Sequence, residues 1–493
     1  MSIVATRSGK VEGTERDGIQ VFKGIPYAVP PVGDRRWRPP EPEAPWDGVR
    51  DATAFSAQSA QSEFAMTTLF GGTRPAYSED SLYLNVWTPA CDDAKRPVLF
   101  WIHGGAFVWG AADTSWYDGT RFAKHGDLVV VSINYRLGPF GFLHLADRYP
   151  ELAGSGNAGI VDQIAALEWV RDCIGAFGGD PDRVTIFGES AGGASVSTLL
   201  GTPRARGLFR GAIAQSGGAS WCKTREDAIT IADTVIERLG RGTDLDALFA
   251  ASTDELIAAM PEFRENGASS LPFAPVVDGT VLPQPPLDAI RQGNAKNVNV
   301  LAGTNANEMT LFVMADPAFA SLDDEVIKRR TAATVGSSAV VDNYRSRYPD
   351  LTPQELWVQI STDAVFWIPM VRLLEAQRGH GPTYAYFFSW PTPVFGGFLK
   401  STHALEIPFV FDNIDTPESA MFTGTGPERQ RIADAMHAAW IAFARTGDPG
   451  TDALPAWPRY DRDRRATMRF DETPGLLEDP ARAEREAFEA AGY

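Results

Sequence analysis

The amino-acid sequence predicts an α/β fold, in which helices cover a large and mostly parallel central sheet. Three short apolar runs support this prediction: Val98–Ile102, Leu128–Ile133 and Arg183–Phe187. Between the last two, residues Ile160–Phe177 carry apolar side chains at helical spacing, and Gly178 follows. Strand, helix and strand in this order are typical of the crossover that joins parallel strands.

Later parts of the chain continue this alternation of helices and strands. We predict helices over Glu226–Leu239 and Arg429–Arg445, and strands over Val298–Ala302 and Tyr384–Phe388. Proline and glycine crowd the first 50 residues. Because proline lacks a backbone donor, we expect this arm to wrap the surface rather than join a central strand.

No break in composition divides the chain, so its domain organisation is predicted to be simple. We expect one domain over residues 1–493, with regulatory-like helical insertions around 220–295 and 315–380. These insertions are irregular enough to form the walls of a pocket.

The composition narrows the classes of partner. The chain has 45 basic and 63 acidic residues, a net charge of −18, which disfavours nucleic acid and anionic membranes. It shows no secretion leader, no apolar run of membrane-spanning length and only three cysteines, without a CxxC spacing. We therefore expect a cytoplasmic protein with no metal and no other cofactor. We expect it to be a monomer, with an oligomer as the alternative.

A glycine-rich turn after the third apolar run carries the strongest chemical signal. Gly188-Glu189-Ser190-Ala191-Gly192 fits the GxSxG pattern, and a helix is predicted from Ala191 to Leu200. A strand-to-helix turn this sharp leaves no room for side chains beside the serine, whose hydroxyl is then exposed as a nucleophile of the α/β-hydrolase fold. The alternative is a turn of small residues without chemistry.

The segment after the first apolar run supports the nucleophile. His103-Gly104-Gly105-Ala106-Phe107 follows the strand ending at Ile102, and its minimal side chains leave backbone N–H groups accessible. We predict that the N–H groups of Gly105, Ala106 and Ala191 form an oxyanion hole. A flexible turn is the alternative.

Several segments together resemble the type-B carboxylesterases, the family that also contains the cholinesterases. The similarity extends from about residue 20 to about residue 460 and follows the family's order of motifs. Besides the serine turn, the segments that carry it are Phe22–Ala28, Ser78–Val86, Asn134–Gly138 and Phe443–Pro449. Ser81 stands where animal members commonly carry a disulfide cysteine.

The resemblance implies the partners of the serine. The acid is Glu308, in Gly303-Thr304-Asn305-Ala306-Asn307-Glu308, and the base is His403, in the segment running to Phe411. From the residues alone Glu308 ranks only slightly above Asp278, and His103 is the one serious competitor as base. By resemblance, Ser216 and Glu189 are candidates to support the acid and base, or else hold the local backbone.

The implied activity is ester hydrolysis by a Ser-His-Glu triad through an acyl-enzyme. Cholinesterases hold their cation on a tryptophan before the Ser78–Val86 segment, but no tryptophan lies between Trp46 and Trp87. We therefore expect small to medium uncharged aryl or alkyl esters, with carbamates and esters of bulky alcohols as further candidates. Six aromatic residues are predicted to line the pocket, although aromatics are more often core: Phe107, Trp109, Phe273, Phe366, Phe395 and Phe398.

Two other functions compete with ester hydrolysis. A non-catalytic binding protein of the same family is disfavoured, since such relatives lose the serine and this chain keeps Ser190. An acyltransferase or amidase with the same triad stays open.

Overall fold

A computed structural model describes residues 2–63, 76–262 and 271–493. The strands of these residues are β1 Ser2–Ala5, β2 Lys10–Arg16, β3 Ile19–Pro26, β4 Val49–Asp51, β5 Gln58–Ser59, β6 Tyr77–Ser78, β7 Tyr83–Thr88, β8 Arg96–Ile102, β9 Val129–Ile133, β10 Gly179–Glu189, β11 Gly211–Gln215, β12 Asn299–Asn305, β13 Thr383–Phe388, β14 Thr467–Phe470 and β15 Gly475–Leu477. The α-helices are α1 Thr120–Gly126, α2 Gly138–Gly141, α3 Ala158–Cys173, α4 Ala191–Gly201, α5 Arg225–Leu239, α6 Leu245–Phe249, α7 Thr253–Ala258, α8 Pro286–Arg291, α9 Thr310–Val313, α10 Asp324–Val335, α11 Ala339–Arg347, α12 Pro353–Thr362, α13 Ile368–Gln377, α14 Ile407–Val410, α15 Pro417–Thr423, α16 Glu428–Thr446 and α17 Arg482–Ala490.

One large sheet organises the part of the chain that the structure describes. Its strands lie in the order β1-β2-β3-β7-β9-β8-β10-β11-β12-β13-β14-β15, and β4 pairs with β2. From β9 to β14 every neighbouring pair is parallel, whereas β1, β2, β3, β7 and β9 pair in an antiparallel manner at one edge. The predicted mostly parallel sheet is thus confirmed.

Burial on both faces explains the apolar runs of the central strands. Every residue of β8 and of β9 is buried, which is why these strands read as continuous rather than alternating apolar segments. Helix α3 continues as a turn of 3₁₀ helix over Ile174–Phe177 and ends at Gly178, whose φ of 78° is a conformation that glycine adopts without strain. The predicted helix over Ile160–Phe177 therefore exists, with its last turn tightened.

The first residues depart from the expectation of a surface arm. Strand β3 pairs with β7 inside the large sheet, with a shift of register between Phe22 and Ile25. Pro26 is the last residue of β3, so its missing N–H donor interrupts no hydrogen bonds further along the strand. Trp37 is fully buried, and its indole N–H donates to Pro139 O at 2.8 Å. The expectation is wrong for these residues because their apolar side chains outweigh the proline signal.

The two predicted insertions contain helices α5–α8 and α10–α13. The second group packs with α17 in an apolar cluster of its own, around Tyr344, Trp357 and Phe488. The regulatory character of the insertions stays a prediction. Among the described residues, no helix combines the length and apolar character that crossing a membrane requires.

A buried ion pair gives a test of this packing. The Arg136 guanidinium donates two hydrogen bonds to Asp162, at 2.8 and 2.7 Å. Only 3% of the Arg136 side chain and 0% of the Asp162 side chain are exposed. Arg136→Met would leave the Asp162 charge buried and uncompensated, so we expect the free energy of unfolding to fall by about 3–5 kcal/mol. Urea unfolding followed by tryptophan fluorescence measures the change.

The matched control is Arg204→Met, which breaks the exposed Arg204–Glu168 pair. We expect a change below about 1 kcal/mol there, because solvent screens exposed charges. Equal losses in the two variants would contradict the role assigned to burial.

Candidate active site

The carboxyl ends of parallel strands meet at one edge of the sheet, and the candidate residues lie there. Strands β8, β10, β11 and β12 are followed within three residues by His103, Ser190, Ser216 and Glu308 respectively. His403 lies in the loop between β13 and α14. The topology therefore brings together side chains that are far apart in the sequence.

Ser190 occupies a strained turn between β10 and α4. Its φ of 58° and ψ of −123° fall outside the regions that non-glycine residues favour. A Cβ on Gly192 would lie 2.0 Å from Ile102 O, and a Cβ on Gly193 would lie 2.3 Å from Gln215 O. Only glycine allows this approach, which explains the pattern around the serine.

The predicted donor loop lies directly beside Ser190. A Cβ on Gly104 would lie 3.0 Å from the Cβ of Ser190, and Gly105 and Ala106 have positive φ angles of 110° and 55°. Among the described residues, no acceptor is paired with the N–H of Gly105 or Ala106. The N–H of Ala191 belongs to the first turn of α4, where helices leave donors unused.

Glu308 and His403 form a buried pair. The Nδ1–H of His403 donates to Glu308 Oε2 at 2.5 Å, and 5% and 0% of the two residues are exposed. Ser216 Oγ donates to Glu308 Oε1 at 2.5 Å, and the backbone N–H of Asn305 donates to the same oxygen at 2.7 Å. These two donors hold the carboxylate so that its other oxygen faces the imidazole.

The two competing residues have other surroundings. Asp278 accepts from the backbone N–H groups of Thr280, Val281 and Leu282, as the carboxylate of a turn does. The Nδ1–H of His103 donates to Gly104 O at 2.8 Å, and burial lowers the pKa of His103 to about 4. In this geometry Glu308, and not Asp278, contacts an imidazole, while His103 braces the donor loop.

Glu189 places a second carboxylate on the same imidazole. Its Oε1 lies 3.1 Å from His403 Nε2, the second nitrogen of the ring. Burial acts to lower the pKa of His403, but the charges of Glu189 and Glu308 outweigh it and raise this pKa to about 9. Burial raises the pKa of Glu189 as well.

A third buried carboxylate, on Glu406, was not among the predicted site residues. Gln215 Nε2 donates to Glu406 Oε1 at 3.0 Å, and Asn305 Nδ2 donates to Oε2 at 2.6 Å. The indole N–H of Trp440 donates in turn to Gln215 Oε1 at 3.1 Å. The signal available in the sequence was the position of Glu406, three residues after His403.

Two phenylalanine rings that stack on each other pack against the imidazole of His403. The ring centroids of Phe312 and Phe366 each lie 5.0 Å from that of His403, and Trp221 lies 5.4 Å from Phe366. Phe366 was among the predicted pocket residues, whereas Phe312 and Trp221 were not. For Phe312 the available signal was its place four residues after Glu308.

The other predicted pocket residues lie in different surroundings. Phe107 and Phe273 are buried in the main apolar core, and the indole N–H of Trp109 donates to Ser62 Oγ at 3.0 Å. Phe395 and Phe398 are 48% and 45% exposed. A loop with positive φ angles at Phe395 and at both following glycines holds these two rings at the surface, so their place in a pocket stays a prediction.

Metal-ligating side chains do not cluster in residues 2–63, 76–262 or 271–493: no group of three or more His, Cys, Asp or Glu there could hold an ion.

The parallel sheet, the strained serine after β10 and the residues at neighbouring strand ends are those of the α/β-hydrolase fold. A sequence model of the carboxylesterase family matches residues 1–488. The chain therefore belongs to the carboxylesterase family, which confirms the resemblance found in its motifs, and it is a carboxylic ester hydrolase.

Individual relatives span nearly the whole chain. It is 40% identical to the para-nitrobenzyl esterase of Bacillus subtilis, over 98% of both chains, and 36% identical to the phenmedipham hydrolase of Pseudarthrobacter oxydans, over 97% of both. A crystal structure of a Geobacillus stearothermophilus carboxylesterase aligns with a TM-score of 0.90 at 44% identity, covering 99% of this chain and 100% of that one.

The effect of the Glu189 charge on the pKa of His403 can be measured directly. Glu189→Gln removes a carboxylate 3.1 Å from Nε2, so the imidazolium loses stabilisation and its pKa should fall from about 9. An opposite charge at this distance changes a pKa by roughly one or more. An NMR titration of histidine-labelled protein measures the pKa, and the His403→Gln spectrum assigns the signal.

As a control, Glu226→Gln removes an exposed carboxylate and should leave the His403 titration unchanged. A pKa that stays the same or rises in Glu189→Gln would refute the electrostatic coupling.

Proposed function

We propose that the chain hydrolyses carboxylic esters with Ser190 as nucleophile, His403 as base and Glu308 as acid, through an acyl-enzyme. The observation that carries the proposal is the 2.5 Å contact between His403 Nδ1 and Glu308 Oε2, because it orients the imidazole and stabilises the imidazolium that forms during the reaction. Ser190 supplies the nucleophile from the strained turn after β10.

In the first half-reaction Nε2 of His403 takes the proton of Ser190 as Oγ forms a bond to the ester carbonyl carbon. The carbonyl oxygen becomes an oxyanion, which the N–H groups of Gly105, Ala106 and Ala191 stabilise. The tetrahedral intermediate then breaks the bond to the alkoxy oxygen. His403 gives its proton to that oxygen, and the alcohol leaves.

In the second half-reaction water replaces the alcohol. Nε2 of His403 takes a proton from water, and the hydroxide formed attacks the acyl carbon held on Ser190. The bond between Oγ and the acyl carbon breaks, the proton returns from His403 to Oγ, and a carboxylic acid leaves. Glu308 stabilises the imidazolium that exists in both half-reactions.

The substrates we propose are small to medium, largely uncharged aryl or alkyl esters. The two aromatic side chains that pack against His403, Phe312 and Phe366, are hydrocarbon, and Trp221 packs against Phe366. Names of relatives, a para-nitrobenzyl esterase and a phenmedipham hydrolase, support uncharged aromatic compounds as the first class to assay. Carbamates and esters of bulky alcohols remain the wider candidates.

Ser190→Ala tests the nucleophile. It removes the group that forms the acyl-enzyme in the proposed mechanism, so kcat for p-nitrophenyl butyrate should fall by roughly 10⁴-fold or more. Release of p-nitrophenol at 405 nm measures kcat, and mass spectrometry after rapid quenching measures an acyl adduct on the wild-type peptide that contains Ser190.

Ser220→Ala is the matched control, since it removes an exposed hydroxyl and should retain wild-type kcat. Undiminished turnover in Ser190→Ala, or an adduct on another residue, would exclude the proposed mechanism.

Butyrylcholine and 3,3-dimethylbutyl butyrate, its uncharged isostere, test the substrate class. Both esters carry the same acyl group and alcohols of the same shape. Because no tryptophan lies between Trp46 and Trp87, we expect kcat/KM for the uncharged ester to equal or exceed that for the choline ester. A preference of about tenfold or more for the cation, the factor of one cation–π contact, would contradict the proposed class.

A further inference from the structure

A short π-helical turn, Asp363–Trp367, interrupts the long helical segment formed by α12 and α13. Such a turn inserts an extra residue into the helix and displaces carbonyl groups from their usual partners. Because every residue of this turn is buried, the displaced carbonyls need partners from elsewhere in the protein.

Two distant side chains supply these partners. The hydroxyl of Tyr493 donates to Ala364 O at 2.8 Å, and the indole N–H of Trp221 donates to Val365 O at 3.3 Å. Each donor comes from outside the segment that contains the turn. The two hydrogen bonds therefore fix consecutive carbonyls of the turn from separate parts of the fold.

The turn is also held at its beginning. The hydroxyl of Tyr344 donates to Asp363 Oδ2 at 2.6 Å, and Gln359 Nε2 donates to the same oxygen at 3.3 Å. Thr362, the residue before the turn, accepts the backbone N–H of Met309 at 3.2 Å. Since Met309 follows Glu308, the turn is connected directly to the loop that carries the proposed acid.

Phe366, which follows Val365 in the turn, packs against a residue of the proposed active site. Its ring lies 5.0 Å from the imidazole of His403 and 5.4 Å from the indole of Trp221. Phe366 is 2% exposed, whereas Phe312, which also contacts the imidazole, is 43% exposed. Phe366 is therefore the buried one of the two rings, and it has little room to move unless the turn moves with it.

We infer that Tyr493 and Trp221 are positioning residues, which hold the π-helical turn so that Phe366 keeps the imidazole of His403 in its reactive orientation. This inference rests on the proposed function of His403. A base that is slightly misplaced transfers its proton less often, although the substrate still binds. The expected effect therefore falls on kcat rather than on KM.

Tyr493→Phe tests the inference with the smallest change. It removes the hydroxyl that binds Ala364 O but keeps the ring, which packs 5.5 Å from Phe488 and beneath the Arg372 guanidinium at 4.8 Å. For p-nitrophenyl butyrate we expect kcat to fall about threefold to tenfold, the factor that one hydrogen bond is worth, with KM changed less than about twofold.

Tyr348→Phe is the matched control, because it removes another hydroxyl of the same helical cluster, one that binds Glu484 and not the turn. It should retain the wild-type kcat. Thermal unfolding of both variants separates a general loss of stability from the kinetic effect. Equal kcat values in Tyr493→Phe and wild type would overturn the inference.

A double-mutant cycle asks whether the effect passes through Phe366. Phe366→Leu keeps an apolar side chain but removes the ring beside His403. If Tyr493 acts through that ring, Tyr493→Phe should lower kcat much less in the Phe366→Leu background than in the wild type. The same loss in both backgrounds would overturn the inference.

Trp221→Phe provides a second route should Phe366→Leu fail to fold. It removes the N–H that binds Val365 O and keeps an aromatic ring next to Phe366, so kcat should again fall, and by a larger factor than KM changes. Failure of the inference is distinguishable from failure of the proposed function. Wild-type turnover that is lost in Ser190→Ala establishes the function even if the positioning variants are fully active.

Discussion

The close approach of backbone around Ser190 is the constraint on which the site depends. The first turn of α4 lies against the ends of β8 and β11, at distances that exclude any Cβ on Gly192 or Gly193. This contact forces Ser190 into its strained conformation and sets the donor loop beside it. The strained conformation persists because the surrounding strands, which are buried on both faces, leave the turn no other path.

Around this rigid turn the protein concentrates negative charge on one imidazole. Glu308 contacts Nδ1 of His403, Glu189 approaches Nε2, and the charge of buried Glu406 also favours the imidazolium. Three carboxylates in one buried site cannot all ionise freely, and burial raises the pKa values of both Glu189 and Glu406. Protonation of this group is therefore a property of the whole cluster, not of one residue.

The sequence indicates where the candidate residues at the strand ends lie, for a physical reason. A fully buried strand needs a continuous apolar run, and a turn without room for Cβ atoms needs glycine. Both features can therefore be recognised in the sequence. The sequence pattern around Glu308 is less specific, because Asp278 also lies in a turn beside apolar residues. Resemblance to the family was needed to prefer Glu308, and the contact with His403 now agrees with that preference.

The aromatic half of the site was harder to predict because its position depends on irregular backbone. Phe366 reaches His403 from a π-helical turn, and nothing in local composition distinguishes such a turn from the α-helix on either side. Phe395 and Phe398 are similar in sequence character, yet a loop with three successive positive φ angles presents them to solvent.

This difference separates two kinds of residue in the site. Ser190, Glu308 and the donor loop follow directly after strands, whose geometry the sheet determines, whereas His403 lies in the long loop after β13. Groups that shape the surroundings of His403 extend from the segments after β12, where hydrogen bonds from distant residues such as Tyr493 determine the backbone. Substitutions far from Ser190 can therefore change how the imidazole is held without altering the sheet, and they should do so most where a displaced carbonyl relies on a single donor.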